Sequence, residues 1–356
     1  MKSSIVKSAV TLLLIGLNIS APTPARAQAK GAMTINEIAT YQGSDRQQRL
    51  IEGAKKEGEL FLYGSLPTNN ITPVADAFMK KYGIKVKAWR SGSEAVLQKV
   101  MAEAHGGRFE VDVVENNSPE MEALHRDKML QEVNSPYHAD IMQKAMPAHK
   151  GWAAYATSVF VQAYNSDKIK KEELPKTYQD LLDPKWKGRL GIEANNHNWF
   201  ATVVQELGKE KGEKLFKEIV DNNGMSVRKG HTLLAQMVAS GEVPFALTVL
   251  SFSPQQLKEK GAPIESFIIP PAITEPRGVG VLKKAPHPHA AMLFYDFLLS
   301  EEAQQILAKN YVVPTSTKID TPWKKIPLKF IDPAQAIDQS EMRIKTYEEV
   351  VTKRAK

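Results

Sequence analysis

Two stretches of the chain, far apart in sequence, share a design that could hold an anion. Arg90-Ser91-Gly92-Ser93 and Arg228-Lys229-Gly230-His231-Thr232 each set basic side chains before a glycine at the start of an expected helix. The glycine lets the backbone approach a ligand, free N–H groups at a helix start attract negative charge, and arginine can fork onto a carboxylate or phosphate. Ser91 and Ser93 either touch such a solute or cap the helix behind them. His231 is placed to meet solute or metal, or to sit on a polar surface. Before the first stretch Tyr63 and Ser65 close one apolar run, and between the two Asn116 closes another. Glu193–Trp199 adds Asn195, His197 and Trp199 as hydrogen-bonding candidates. A further stretch, ALTVLSFSPQ (246–255), ends an apolar run in Ser251, Phe252 and Ser253. Two hydroxyls and a ring suit a small organic molecule, the first for orientation and the second for apolar contact or stacking.

All of these residues fall where strands end and helices begin. GELFLYGS (58–65), IKVKAWR (84–90) and FEVDVVEN (109–116) read as strands, each followed by an amphipathic helix over 71–83, 93–107 and 119–130. That alternation predicts right-handed crossovers and a parallel sheet. KGRLGIEA (187–194) opens a second such unit, followed by a helix over 200–222, another over 232–242 and the strand VPFALTVL. Two long extended stretches, 151–166 and 265–282, separate the units and could carry the chain between them. The expectation is an α/β protein of two lobes hinged by two crossings, with strand ends facing a cleft. Lobe 1 is drawn from 28–162 and 275–356, lobe 2 from 163–274.

Composition narrows the classes. Lys2 and Lys7, the run VTLLLIGLNIS and Ala25-Arg26-Ala27 describe a signal peptide over residues 1–27. Loss of Lys2, Lys7 and Arg26 lowers the formal charge from +7 to +4, which makes no case for nucleic acid as a partner. The chain has no cysteine, so thiolate nucleophiles, zinc–thiolate sites and iron–sulfur clusters are out. It also has no GxSxG, HExxH, P-loop or GxGxxG pattern, which argues against an enzyme. No cofactor and no metal ligand set is read.

From LPKTYQDLLDPKWKGRLGIEA (174–194) outward, the chain resembles the ferric-iron-binding type of extracellular solute-binding protein. LYGS, VADAFMKKYGIKVKAWRSGSE, Tyr164-Asn165, MVASGEVPFAL, KGAPIESFIIP and APHPHAAMLFYDFLLSEEAQQILAKNYVVPTS follow in family order over roughly residues 55–320. The resemblance implies a type II periplasmic-binding fold, a periplasmic monomer that closes around a solute, and docking onto the membrane permease of an ABC importer. In iron-binding relatives the segment matching ALTVLSFSPQ carries two consecutive tyrosines as iron ligands; here those positions are Ser251 and Phe252. The family histidine is replaced near Pro67, and only Glu94 matches the family glutamate. Fe(III) wants several anionic oxygens, so the expected solute is a small organic anion such as a carboxylate, phosphonate or phosphate ester. Ferric iron or a ferric chelate is the alternative, and Tyr311 is a further residue that could reach the cleft. An enzyme or a sensory receptor ranks below both.

Overall fold

The computed structural model describes residues 33–355, so the expected signal peptide lies outside the described residues. In chain order the elements are α1 (Ile35–Thr40), α2 (Arg46–Glu57), β1 (Glu59–Gly64), α3 (Thr68–Tyr82), β2 (Lys85–Arg90), α4 (Ser93–His105), β3 (Val113–Asn117) and α5 (Ser118–Arg126). Next come β4 (Ala153–Asn165), β5 (Leu190–Glu193), α6 (His197–Leu207), α7 (Lys209–Asn223), β6 (Ser226–Arg228), α8 (His231–Ser240), β7 (Phe245–Leu250), α9 (Phe252–Glu259), β8 (Ile264–Phe267) and β9 (Ala272–Val281). The chain closes with α10 (Pro288–Leu299), α11 (Glu301–Lys309), β10 (Val313–Pro314), β11 (Leu328–Phe330), α12 (Pro333–Asp338) and α13 (Ser340–Tyr347).

The strands run in the order β2-β1-β3-β9-β4-β7-β5-β6. β1 is parallel to β2 and β3, and β5 is parallel to β6 and β7. Each parallel set therefore presents its strand ends, and the helices that follow them, along one edge, where α/β sheets bind ligands. The two sets meet only through antiparallel β4 and β9. Every residue of these two strands is buried, as their apolar runs demand. β4 pairs with β9 as far as Val159 and with β7 from Phe160 onward. It thus passes from one half of the sheet to the other in mid-strand, the expected crossing. The second expected crossing is broken: β8 pairs with β4, and β9 begins anew at Ala272.

One expected helix is two. At Gly208, φ of 86° ends α6 before α7 starts, a conformation that costs a side-chain-bearing residue but not glycine. The tail also departs from its expected lobe. Arg343 on α13 donates to Asn198 Oδ1, the Tyr347 hydroxyl donates to the Glu193 carbonyl, and Arg354 pairs with Asp221. α13 and the π-turn after it thus lie against α6 and α7, elements drawn in lobe 2, whereas the sequence pattern places 275–356 whole in lobe 1.

Candidate functional site

The centre of the site is Arg277, on β9 beside the end of β3. Its register partners are Asn117 on β3 and Ala156 on β4. The guanidinium donates from Nη2 to Glu115 Oε1 at 2.5 Å and to Ser65 Oγ at 2.6 Å, from Nη1 to Asn117 Oδ1 at 2.7 Å, and from Nε to the Tyr155 hydroxyl at 3.2 Å. Burial works against the charge, but Glu115 outweighs it and holds the guanidinium firmly protonated. Glu115 is itself fully buried and also accepts from the backbone N–H groups of Ser65 and Leu66. A Cβ at Gly64 would come within 3.1 Å of its carboxylate, so glycine there admits the acid beside β1.

Two residues along β9 stands Glu275, 6% exposed, in register with Ser158 on β4. Directly opposed residues of antiparallel strands project from the same face. Burial, and then the nearby Glu120 of α5, pushes the Glu275 carboxyl up to about 8. Burial pushes Glu120 up to about 7. Glu120 is half-buried as a residue, yet its Oε2 is enclosed and has no hydrogen-bond partner. Against the burial of Glu275 work the charges of Arg277 and of Arg343 on α13 and a hydrogen bond from Asn198 on α6. Glu193, at the end of β5, accepts from the N–H groups of Asn195 and Gly230 at 2.7 and 2.9 Å and so ties the starts of α6 and α8 together. His197 and His231 open those helices. Burial lowers both imidazoles, with Arg343 adding to the effect at His197. The His231 ring centroid lies 5.8 Å from that of Phe160, the first β4 residue to pair with β7.

Four helices start at this edge without a side-chain cap: α4 behind Gly92, α5 behind Asn117, α6 behind Asn196 and α8 behind Gly230. Their first N–H groups and the positive ends of their dipoles are left to other partners. Around the same floor, five enclosed side-chain atoms have no hydrogen-bond partner: Ser118 Oγ, Glu120 Oε2, Ser158 Oγ, Asn196 Nδ2 and His231 Nδ1. Buried polar groups are nearly always paired, so these atoms, contributed from both halves of the sheet, are candidates for contact with a bound molecule.

The residues expected from sequence divide. Ser65, His197 and His231 lie at the floor. Asn116 is fully buried and spends its side chain on the Ser93 carbonyl and the Asn117 N–H; Asn195 is exposed and offers its N–H to Glu193. Ser91 and Ser93 flank the uncapped start of α4, half-buried. Arg90 is exposed and donates to the Ser65 carbonyl, Lys229 is exposed, and Arg228 donates to the carbonyl of its own neighbour Val227. These three cations stand outside the enclosed floor. Tyr63 is turned onto α4, its hydroxyl on Glu103 and its ring edge-on to Trp89. Trp199, 1% exposed, packs edge-on against Phe216 and Tyr178 in the core of the second lobe, because an apolar indole on the inner face of α6 gains more from burial than from a wet cleft. Ser251 and Phe252 are each 4% exposed; Phe252 belongs to the same apolar core, and the Ser251 N–H bonds the Val159 carbonyl. Tyr311 hydrogen-bonds Glu259. Among the described residues no group of three His, Asp or Glu side chains is placed to hold a metal ion.

Glu120, Ser158, Glu275, Arg277 and Arg343 were not foreseen. The signal for three of them was the placement of polar residues inside otherwise apolar crossing strands, TSVF (157–160) and ITEPRG (273–278).

Comparison with known proteins gives consistent results. The family model described as "Bacterial extracellular solute-binding protein" matches residues 113–338. The "Fe(3+)-binding periplasmic protein" of Serratia marcescens is 25% identical over 85% of this chain and 91% of its own. The iron-bound HitA structure from Pseudomonas aeruginosa superposes with a TM-score of 0.73 at 25% identity, over 82% of this chain and 99% of that one. AfuA from Actinobacillus pleuropneumoniae, solved with fructose-6-phosphate bound, gives 0.73 at 26% identity over 83% and 99%.

Proposed function

The chain belongs to the bacterial extracellular solute-binding protein family, and from that premise we propose that it is the periplasmic substrate-binding component of an ABC importer whose solute is a small organic molecule with an anionic group. The observation that carries this reading is the set of partnerless enclosed atoms at the cleft floor. Three of the five are hydroxyl or amide donors, and two of these, Ser118 and Asn196, lie at uncapped helix starts, which favour negative charge. The cations Arg90, Arg228 and Lys229 serve at the rim, drawing an anion toward the cleft rather than gripping it. Because the donors come from both halves of the sheet, a bound solute favours the closed arrangement, and that differential is what a permease can recognise.

Ferric iron or a ferric chelate is the second reading, favoured by the names of the Serratia and Pseudomonas proteins. Against a bare ion stand Ser251 and Phe252, which supply no phenolate, while Fe(III) wants several anionic oxygens. AfuA, with its sugar phosphate, supports an organic anion on the same fold. The test is thermal unfolding of the mature protein with fructose-6-phosphate, ethylphosphonate, citrate, ferric citrate and bare Fe(III). A hundredfold excess over Kd stabilises by about 2.7 kcal/mol. Stabilisation by an organic anion without iron supports the reading; stabilisation by bare Fe(III) alone contradicts it.

A further inference from the structure

Three arginines are buried among the described residues: Arg46, Arg277 and Arg343. Two have a carboxylate against them. Arg46 Nε lies 3.1 Å from Asp296 Oδ2, and Arg277 Nη2 lies 2.5 Å from Glu115 Oε1. Arg343, 5% exposed, forms no ion pair among the described residues. Its Nε and Nη2 donate to Gln339 Oε1 at 3.3 and 3.1 Å, and its Nη1 donates to Asn198 Oδ1 at 3.1 Å. Both partners are neutral amides. Two acids act on it from further off, Asp332 and Glu275. Asp332 caps the start of α12 by accepting from the Ala334 and Gln335 N–H groups. Glu275 is joined to Arg343 through Asn198, which hydrogen-bonds both. A buried charge is costly unless a counterion meets it, and an anionic solute would supply one.

Arg343 also stands at the ligand-binding edge. Asn198 is the second residue of α6, and one turn along α13 from Arg343 the Tyr347 hydroxyl bonds the Glu193 carbonyl at the end of β5. The guanidinium is thus held at the junction of β5 and α6, where a parallel sheet takes its ligand. At the same junction α6 starts without a side-chain cap, and Asn196, 6% exposed, has a partnerless Nδ2. We propose that Arg343 is the residue that meets the anionic group of the solute, with the Asn196 amide and the first N–H groups of α6 beside it. The proposal rests on the organic-anion reading and deepens it. Arg90, Arg228 and Lys229 attract the anion at the rim, and the tail helix supplies the charge that holds it.

The experiment is isothermal titration of the mature chain, and of its Arg343→Gln and Arg343→Lys variants, with fructose-6-phosphate, ethylphosphonate and citrate. For each probe that binds the wild type, Arg343→Gln is expected to raise Kd at least about tenfold. Arg343→Lys keeps the charge but not the fork and is expected to raise it less. A merely structural arginine would respond alike to both substitutions. Unchanged affinity in both variants, or equal losses, overturns the role of Arg343 and leaves the organic-anion reading standing. Binding of none of the three probes to the wild type overturns both. Where a variant does not fold, a crystal structure of the wild-type complex decides. An anionic oxygen within about 3.2 Å of the Arg343 guanidinium is expected, and an anion seated away from it overturns the proposal.

Discussion

Arg277 Nη2 lies 2.5 Å from Glu115 Oε1, with the two side chains 4% and 0% exposed. The pair joins β9 to β3, and through the Ser65 and Leu66 N–H groups it also holds the end of β1. The ends of β1 and β3 and the middle of β9 are thus fixed by one guanidinium and one carboxylate.

Removing one partner strands the other charge inside the protein. Arg277→Met is expected to lower stability by about 3–5 kcal/mol, read from urea unfolding. The double variant Arg277→Met/Glu115→Gln should recover part of that loss, since no buried charge is then unpaired. A single-variant loss under about 1 kcal/mol, as at surface pairs, would contradict the role given to this bridge.

Glu120 and Glu275 should make stability fall as pH rises through about 7 and 8. The carboxyls of Glu120 and Glu275 are raised from 4.5 to about 7 and about 8, so the folded state binds more protons than the unfolded chain between those values. By linkage their contribution is fully present below about pH 4.5 and is lost as pH passes through 7 and 8. Thermal unfolding midpoints across that range should decline, and Glu275→Gln should flatten the decline. A Glu275→Gln profile parallel to the wild type between about pH 7 and 8 would contradict the assignment.

Placing the family's two tyrosines into this cleft should not create an iron site. Ser251 and Phe252 are each 4% exposed, so Ser251→Tyr/Phe252→Tyr overpacks the start of α9 and is expected to cost about 1–3 kcal/mol. With Pro67 where the family has its histidine, Fe(III) should add no visible tyrosinate–iron absorption. An iron-dependent band at one ion per chain would show that the remaining ligands suffice.

Closure, as proposed, should be held by contacts between α9 and α3. Gln256 on α9 accepts from Asn69 on α3 at 2.8 Å and donates to the Asn310 carbonyl after α11 at 2.9 Å. The first bond is solvent-exposed and the second part-buried, so Gln256→Ala should weaken ligand affinity by no more than about tenfold, chiefly by faster release. Stopped-flow dissociation measures this; an unchanged release rate would mean that these bonds do not hold the closed form.

Much of this architecture is legible in the residues. The strands expected over 58–65, 84–90 and 151–166 are β1, β2 and β4 within two residues at each end, because apolar runs ending in glycine or polar residues leave little choice of pairing. The third is assigned from Val113: the Asp112 carboxylate takes the Phe61 N–H and His287, while its backbone still bonds the Phe61 carbonyl and the Leu282 N–H. The floor was less legible. Arg90, Arg228 and Lys229 advertise themselves by clustering near glycines, yet long basic side chains at helix starts gain most from water. Glu275, Arg277 and Ser158 stand singly within apolar strands, and only the register of β4 on β9 brings them together. Arg343 reaches the site from a tail helix that no local pattern ties to α6.

The central claim is that the cleft holds an organic solute rather than a metal ion. Native mass spectrometry with an iron assay on protein isolated from the periplasm, without refolding, tests it most directly. The account predicts an adduct with the mass of a small organic acid and no stoichiometric iron; one iron per chain with no organic adduct would contradict it.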